Sequence, residues 1–224
     1  MISLILKLFF YQSPILTYSS DEIAVYDKIF DDAIRSGGVI HYTSTYPKHR
    51  FIAYIAAHKG VLLHGSNDQF IEKFETRRQT LFNGEYVEAV FATKDGIWPL
   101  FYAVFDKKKL IGNIRNGCLE TRSGARFHFY SFSQESGNNT PWTRGMIYFL
   151  PMDSFKRAHK GLVSFDEWTS QVPVKPIAKI NVEVEDFYYH DKVSVHKSTE
   201  SVLITWLKYK LRILFRKTPD DFAM

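Results

Sequence analysis

Val61-Leu62-Leu63-His64-Gly65-Ser66 is the stretch on which the reading of this 224-residue chain turns. Three large apolar residues in a row describe a strand covered on both faces, and the His-Gly-Ser triplet that ends it puts an imidazole and an unhindered backbone at the rim of a sheet. Gly65 carries no side chain to block a close approach, while His64 and Ser66 offer hydrogen bonds to hydroxyls or to an amide. A His before a Gly at a strand end also serves purely structural ends, so the triplet takes its meaning from its surroundings.

Upstream, Ser19 and Glu22 have capping-box spacing, and Ile23, Tyr26, Phe30, Ala33 and Ile34 recur at helical period until Gly37-Gly38. Val39 to Tyr42 reads as a short strand, and Pro47 opens a second helix through Phe51, Tyr54 and Ile55 that closes at Gly60. The apolar run Met1 to Tyr11, interrupted by Lys7, falls short of the about 20 residues that span a bilayer and reads as a buried strand or a short helix. Downstream, Asn67 to Gly84 is polar and turn-rich. Tyr86 to Thr93 returns to a strand with Val87, Ala89 and Phe91 on one face, and a helix from Ile97 to Phe105 carries Pro99 in its first turn. Further strands are expected at Leu110 to Arg115, Arg126 to Phe132, Met146 to Leu150 and Ile177 to Val184.

These elements predict an α+β fold over residues 1–224 as one domain, with a mixed, largely antiparallel sheet and flanking helices. Residues 1–60 form its helical part, 61–190 the sheet core with the pocket, and 199–217 a basic amphipathic helix.

A strand ending in His64-Gly65-Ser66, then a strand ending in Phe91-Ala92-Thr93 followed about ten residues later by aromatics on a helix, resembles the ADP-ribosyltransferase superfamily. Poly(ADP-ribose) polymerases, diphtheria-type toxins and RNA 2′-phosphotransferases share that scaffold. The resemblance covers roughly residues 61 to 105, with support near 145 to 185. It implies an ADP-ribosyltransferase-like fold that binds NAD, as substrate, or a related nucleotide. His64 would hydrogen-bond the nicotinamide-side ribose, Gly65 would meet the carboxamide through its backbone, and Phe101 or Tyr102 would support the ring. Ser66 and Thr93 line the same strand ends, and Arg77-Arg78 either contact the pyrophosphate or form a solvated loop pair.

The superfamily's catalytic carboxylate lies at the start of a late strand. Here that region reads Trp168-Thr169-Ser170-Gln171-Val172-Pro173-Val174, with Gln171 at the aligned position. Glu167, Glu183 and Glu185 are the acids nearby, and Glu183 can project from the strand ending at Val184. The candidate catalytic set is therefore His64, Tyr102, Gln171 and Glu183. With Gln171 in place, the resemblance implies transfer of single ADP-ribose units to a protein or RNA acceptor, nucleotide binding without catalysis, or a different chemistry, rather than poly(ADP-ribose) synthesis.

An apolar share of 45%, with 19 Phe and 13 Tyr, excludes disorder as the main state. Cys118 is the lone cysteine, which excludes an internal disulfide and fits a reducing cytoplasm; it follows Gly117 in what reads as a turn and is taken as inert. His190 and His196 beside Asp191 lack further ligands at a suitable spacing, so they are assigned to solvated surface and no metal is expected. Arg126 to Phe132 is aromatic enough for a base-stacking platform, but its alternation suits a strand covered on both sides better.

Of the net charge of +5, residues 199 to 217 supply +4, through five basic residues against Glu200. That concentration argues against a basic stripe for nucleic acid. In the helix itself, Ser201, Thr205, Lys208, Arg212 and Arg216 share one face, and Leu203, Leu207, Leu211 and Leu214 another. It reads as a helix docked on the domain with its basic side in water, or as an attachment to an anionic membrane surface or an acidic partner.

Overall fold

The computed structural model describes residues 2–80, 84–136, 141–158 and 161–215. The first half of the chain contains α1 (Ile2–Phe9), β1 (Tyr11–Gln12), α2 (Ser20–Arg35), β2 (Val39–Ile40), α3 (Lys48–His58), β3 (Val61–Ser66), β4 (Arg77–Thr80), β5 (Tyr86–Ala92) and α4 (Trp98–Val104). The second half contains β6 (Ile114–Thr121), β7 (Arg126–Ser133), β8 (Gly145–Pro151), β9 (Lys156–Arg157), β10 (Val163–Phe165), β11 (Trp168–Ser170), β12 (Ala178–Val182), β13 (Val193–His196) and α5 (Val202–Leu214). Local chemistry explains the helix starts: Ser19 accepts the N–H of Glu22 at the head of α2, and Pro99 occupies the first turn of α4, where its missing N–H costs nothing.

The strands form three mostly antiparallel sheets, not the single sheet expected from the sequence. One runs β2-β12-β8-β3, a second β4-β5-β11-β9, and a third β1-β7-β6-β10 with β13 also on β7. Alternation identifies a strand without naming its neighbours, and here the backbones of β3 and the end of β5 pair at a single bridge, between Leu63 and Thr93. Strand β6 begins at Ile114, not Leu110, so Cys118 lies within a strand and not in a turn. The polar stretch 67–84 contains β4.

Both faces of the first sheet are covered. Val61, Leu63, Ile147 and Phe149 face the main core beneath α2 and α3, while Leu62, Tyr148 and Leu150 face a second cluster with Val90 and Phe155. Phe30 and Phe51 close on Phe149 at centroid distances of 5.6 and 6.3 Å. Strand β7 is buried along almost its whole length, as core packing and not a base-stacking platform requires. Phe127 and Phe129 pack against Phe10 and Tyr209, beneath α1 and α5.

Candidate functional site

The His-Gly-Ser end of β3 lies beside the end of β5 because Leu63 and Thr93 pair there, and α4 packs on β3 with Pro99 against Gly65. A Cβ on Gly65 would stand 1.8 Å from the carbonyl oxygen of Pro99, so the residue is glycine because the helix backbone lies against it. Gly145 of the neighbouring strand is held in the same way, 2.0 Å from the carbonyl oxygen of Ala103.

Under this junction opens a cleft of about 210 Å³ whose lining includes His64, Gly65, Thr93, Tyr102, Lys107 and Glu167. His64 is half-buried, its ring lies 4.6 Å from that of Phe74, and its Nδ1 is 2.7 Å from the carbonyl oxygen of Phe91. A carbonyl only accepts, so Nδ1 carries the hydrogen and the neutral ring leaves Nε2 as an acceptor. Burial lowers the His64 pKa below its usual value; the Phe91 carbonyl opposes this, and Lys107 and Arg77 add to it. Tyr102 has its hydroxyl pKa pushed up to about 12, chiefly by burial, with the Glu167 charge contributing in the same direction. The Lys107 ammonium lies 5.3 Å from the centre of the Tyr102 ring.

Glu167 reaches the cleft through strand register. Trp168 pairs with Ala92, which sets the preceding Glu167 beside the Thr93 end of β5, and its carbonyl accepts the N–H of Ala158 at 2.9 Å. Asp166 fastens this corner: it accepts from the Thr93 hydroxyl at 3.0 Å, from the N–H of Lys94 at 3.1 Å and from the indole of Trp168 at 2.9 Å. The signal in the sequence was the β-prone pair Trp168-Thr169, which marks where the late strand begins and makes Glu167 its first neighbour.

The structure therefore gathers His64, Gly65, Thr93 and Tyr102 at one cleft, and it does not bring Gln171 or Glu183 there. Gln171 is exposed in the turn after β11. Glu183 caps a short 3₁₀ turn after β12, in a reciprocal box with Asp186. Phe101 is fully buried in the main core against Tyr130 and Phe105, so Tyr102 is the aromatic available to a ligand. Ser66 accepts the N–H of Asp68 at 3.1 Å in a tight turn. Arg77 and Arg78 lie on exposed β4; Arg77 is near enough to act on His64, whereas the Arg78 guanidinium sits 4.8 Å over the Tyr86 ring.

A second polar group is buried behind Thr93. Ligand atoms of Asp95, Cys118 and His128 lie within 4.8 Å of one another, an arrangement not expected from the sequence. Each is already engaged. Asp95 accepts the N–H groups of Ile97 and Trp98 at 2.9 and 2.6 Å, which starts α4, and His128 lies 2.7 Å from the Ser13 hydroxyl and 3.0 Å from that of Tyr130. Burial lowers the His128 pKa, with Asp95 opposing, and pushes the Cys118 thiol well up. The group is satisfied as a hydrogen-bond network that holds the head of α4. His196, expected at the surface, is buried between Ser131 and Asn113, each at 2.7 Å, while His190 is exposed. Two other clefts, of about 360 and 550 Å³, open beside Tyr18 and beside Arg122, and neither contains any residue of the candidate set.

No family model, curated protein or solved structure matches the chain.

Proposed function

We propose that the chain is an ADP-ribosyltransferase-like protein that takes NAD in the His64–Tyr102 cleft and uses Glu167 as its carboxylate. The observation that carries this reading is the convergence of His64, Tyr102 and Glu167, from β3, α4 and the head of β11, on one cleft of about 210 Å³. That volume is below the roughly 300 Å³ of a drug-sized pocket. It suits the nicotinamide-riboside end of the dinucleotide, with the pyrophosphate outside along β4 near Arg77.

Each group has a role its chemistry fits. The Nε2 of neutral His64 accepts from a ribose hydroxyl, the Gly65 backbone meets the carboxamide, and the Tyr102 ring supports the nicotinamide. In the reaction the C–N glycosidic bond breaks, nicotinamide leaves with the electron pair, and the ribose carbon bonds to the acceptor nucleophile, which gives up its proton. The intermediate geometry is oxocarbenium-like, and a carboxylate beside the ribose stabilises the positive charge that develops there. Glu167 supplies that charge, which Gln171 lacks.

Isothermal titration with NAD, joined to an assay of nicotinamide release, tests the reading. Wild-type protein should bind and release nicotinamide, His64→Ala should lose binding, and Glu167→Gln should keep binding while release falls by about 10²–10³. Absence of heat with the wild type would remove the nucleotide from the account. Binding that yields no nicotinamide with protein or RNA acceptors would assign the cleft to a non-catalytic module.

A further inference from the structure

We propose that α1 and α5 together form a surface that docks on an anionic lipid membrane. The helix at the C-terminal end is amphipathic, as its sequence indicates, but it sits on the domain the other way round from an ordinary packed helix. Its inward line is Thr205, Tyr209 and Ile213, and its leucines point outward.

Polar contacts hold it in that orientation. Arg115 on β6 donates to the carbonyl oxygens of Ser201, at 3.1 Å, and Glu200, and to the Thr205 hydroxyl. The Tyr209 hydroxyl donates to the carbonyl of Lys192 at 2.6 Å, and Arg212 makes a double hydrogen bond to Glu200 at 2.9 and 2.5 Å. Rotating the helix to bury its leucines would break all of these and strand a guanidinium, so the apolar face is a settled feature of this fold.

That face is broad. Leu203, Leu211 and Leu214 are 63%, 52% and 71% exposed, Phe215 extends the patch at 81%, and α1, which packs against α5, adds Leu4 and Leu8 at 68% and 67%. Isolated exposed leucines need no explanation, whereas a contiguous set across two helices marks an interaction surface.

Charge decides what covers it. Neither helix contains an acidic residue. Arg212 is taken by Glu200 and the Lys210 ammonium by the carbonyl of Lys7 at 2.5 Å, which leaves the exposed Lys7 and Lys208 around the patch. At about 100° per residue, Lys208 falls at the edge of the leucine arc, where its stem lies along apolar surface and its ammonium group reaches a charged layer. A twofold contact with a second copy would set this patch against itself and bring like charges together with no carboxylate to separate them. An anionic membrane surface satisfies both the leucines and the lysines. No helix of the described residues is long and apolar enough to cross a membrane, so the pair would lie in the plane of the interface.

The test is co-sedimentation of the full chain with phosphatidylcholine vesicles, with and without phosphatidylserine, alongside sedimentation velocity without lipid. The protein should pellet with the phosphatidylserine vesicles, and high salt should weaken this. Leu207→Glu with Leu211→Glu should reduce association at least tenfold while the melting temperature holds, since both side chains are exposed. Lys208→Glu should cost about fivefold or more, the worth of one basic residue at such a surface. No association with either vesicle, equal association with neutral ones, or a solution dimer that Leu207→Glu dissociates would each overturn the proposal, the last by assigning the face to a second copy.

Discussion

Leu63 and Thr93 exchange both backbone hydrogen bonds, at 2.8 and 3.0 Å, and through this one bridge two sheets meet at the candidate cleft. His64 follows the first residue directly. The side chain of the second reaches Asp166, one position before Glu167, so a single contact sets the spacing of two proposed functional residues from different strands.

The Thr93 hydroxyl is the part of this joint that can be removed without changing shape. Thr93→Val should cost about 1–3 kcal/mol, because buried Asp166 loses a donor and the N–H of Asp95 loses its acceptor. Chemical denaturation reads that loss. On the proposed function, nicotinamide release should fall further than NAD affinity, since Glu167 loses its support while His64 keeps its own. Equal losses in both would detach Asp166 from the positioning of Glu167.

Gly65 tests why the triplet contains a glycine. In Gly65→Ala the new methyl group would collide with backbone of α4, which cannot rotate aside, so the helix must shift. A destabilisation of about 1–3 kcal/mol or more should follow, seen as a lower melting temperature. Gly145→Ala presses on the same helix, and the double variant should depart from additivity. Independent effects would show that α4 does not move as a unit.

Four histidines set a pH dependence, among them His49, whose pKa is lowered chiefly by burial. Burial lowers the pKa of His64 and His128, and brings that of His196 to about 4, where Arg115 and Arg212 also lower it and Glu200 and Glu135 oppose. In the unfolded chain each takes up a proton near pH 6.5, so below that value the unfolded state binds more protons than the folded one. Their contribution is complete above about pH 6.5 and is lost progressively as the pH falls toward the folded values. Melting temperatures should therefore drop between pH 7 and 5, a window above the range in which the salt-bridged carboxylates titrate. A flat profile there would contradict the burial of these rings.

Cys118 should be silent toward alkylation in the native protein. It is fully buried in β6, and burial, followed by the charges of Asp95 and Asp166, raises its thiol pKa well above normal, so almost no thiolate exists at pH 8. Iodoacetamide labelling followed by mass spectrometry should show modification only in denaturant. Rapid native labelling would mean that the α4 head opens readily.

How much of this was legible beforehand differs by element. Helix α2, with its Ser19 cap and glycine stop, strand β3 and the proline-led α4 follow from local pattern, because each is decided by neighbours within a few residues. Single strands such as β9 and β13 were missed. They are only two and four residues long, and their pairing partners supply what their own sequence does not.

The cleft divides along the same line. Sequence alone put His64, Gly65 and Tyr102 in play, since a strand end and a helix turn are local events. It put Gln171 at the carboxylate's position and left Glu167, Glu183 and Glu185 as the nearby acids, because a side chain's distance from a cleft formed by another strand depends on register, and register is set by pairing across 76 positions between Ala92 and Trp168. The last helix makes the point again. Periodicity alone separated its leucine and basic faces, but that the line of Thr205, Tyr209 and Ile213 turned inward was decided by Arg115, Glu200 and the carbonyl of Lys192, polar partners that only the folded chain brings within reach. Local pattern settles what a segment can form; tertiary contacts, by satisfying buried polar groups, settle which way it faces.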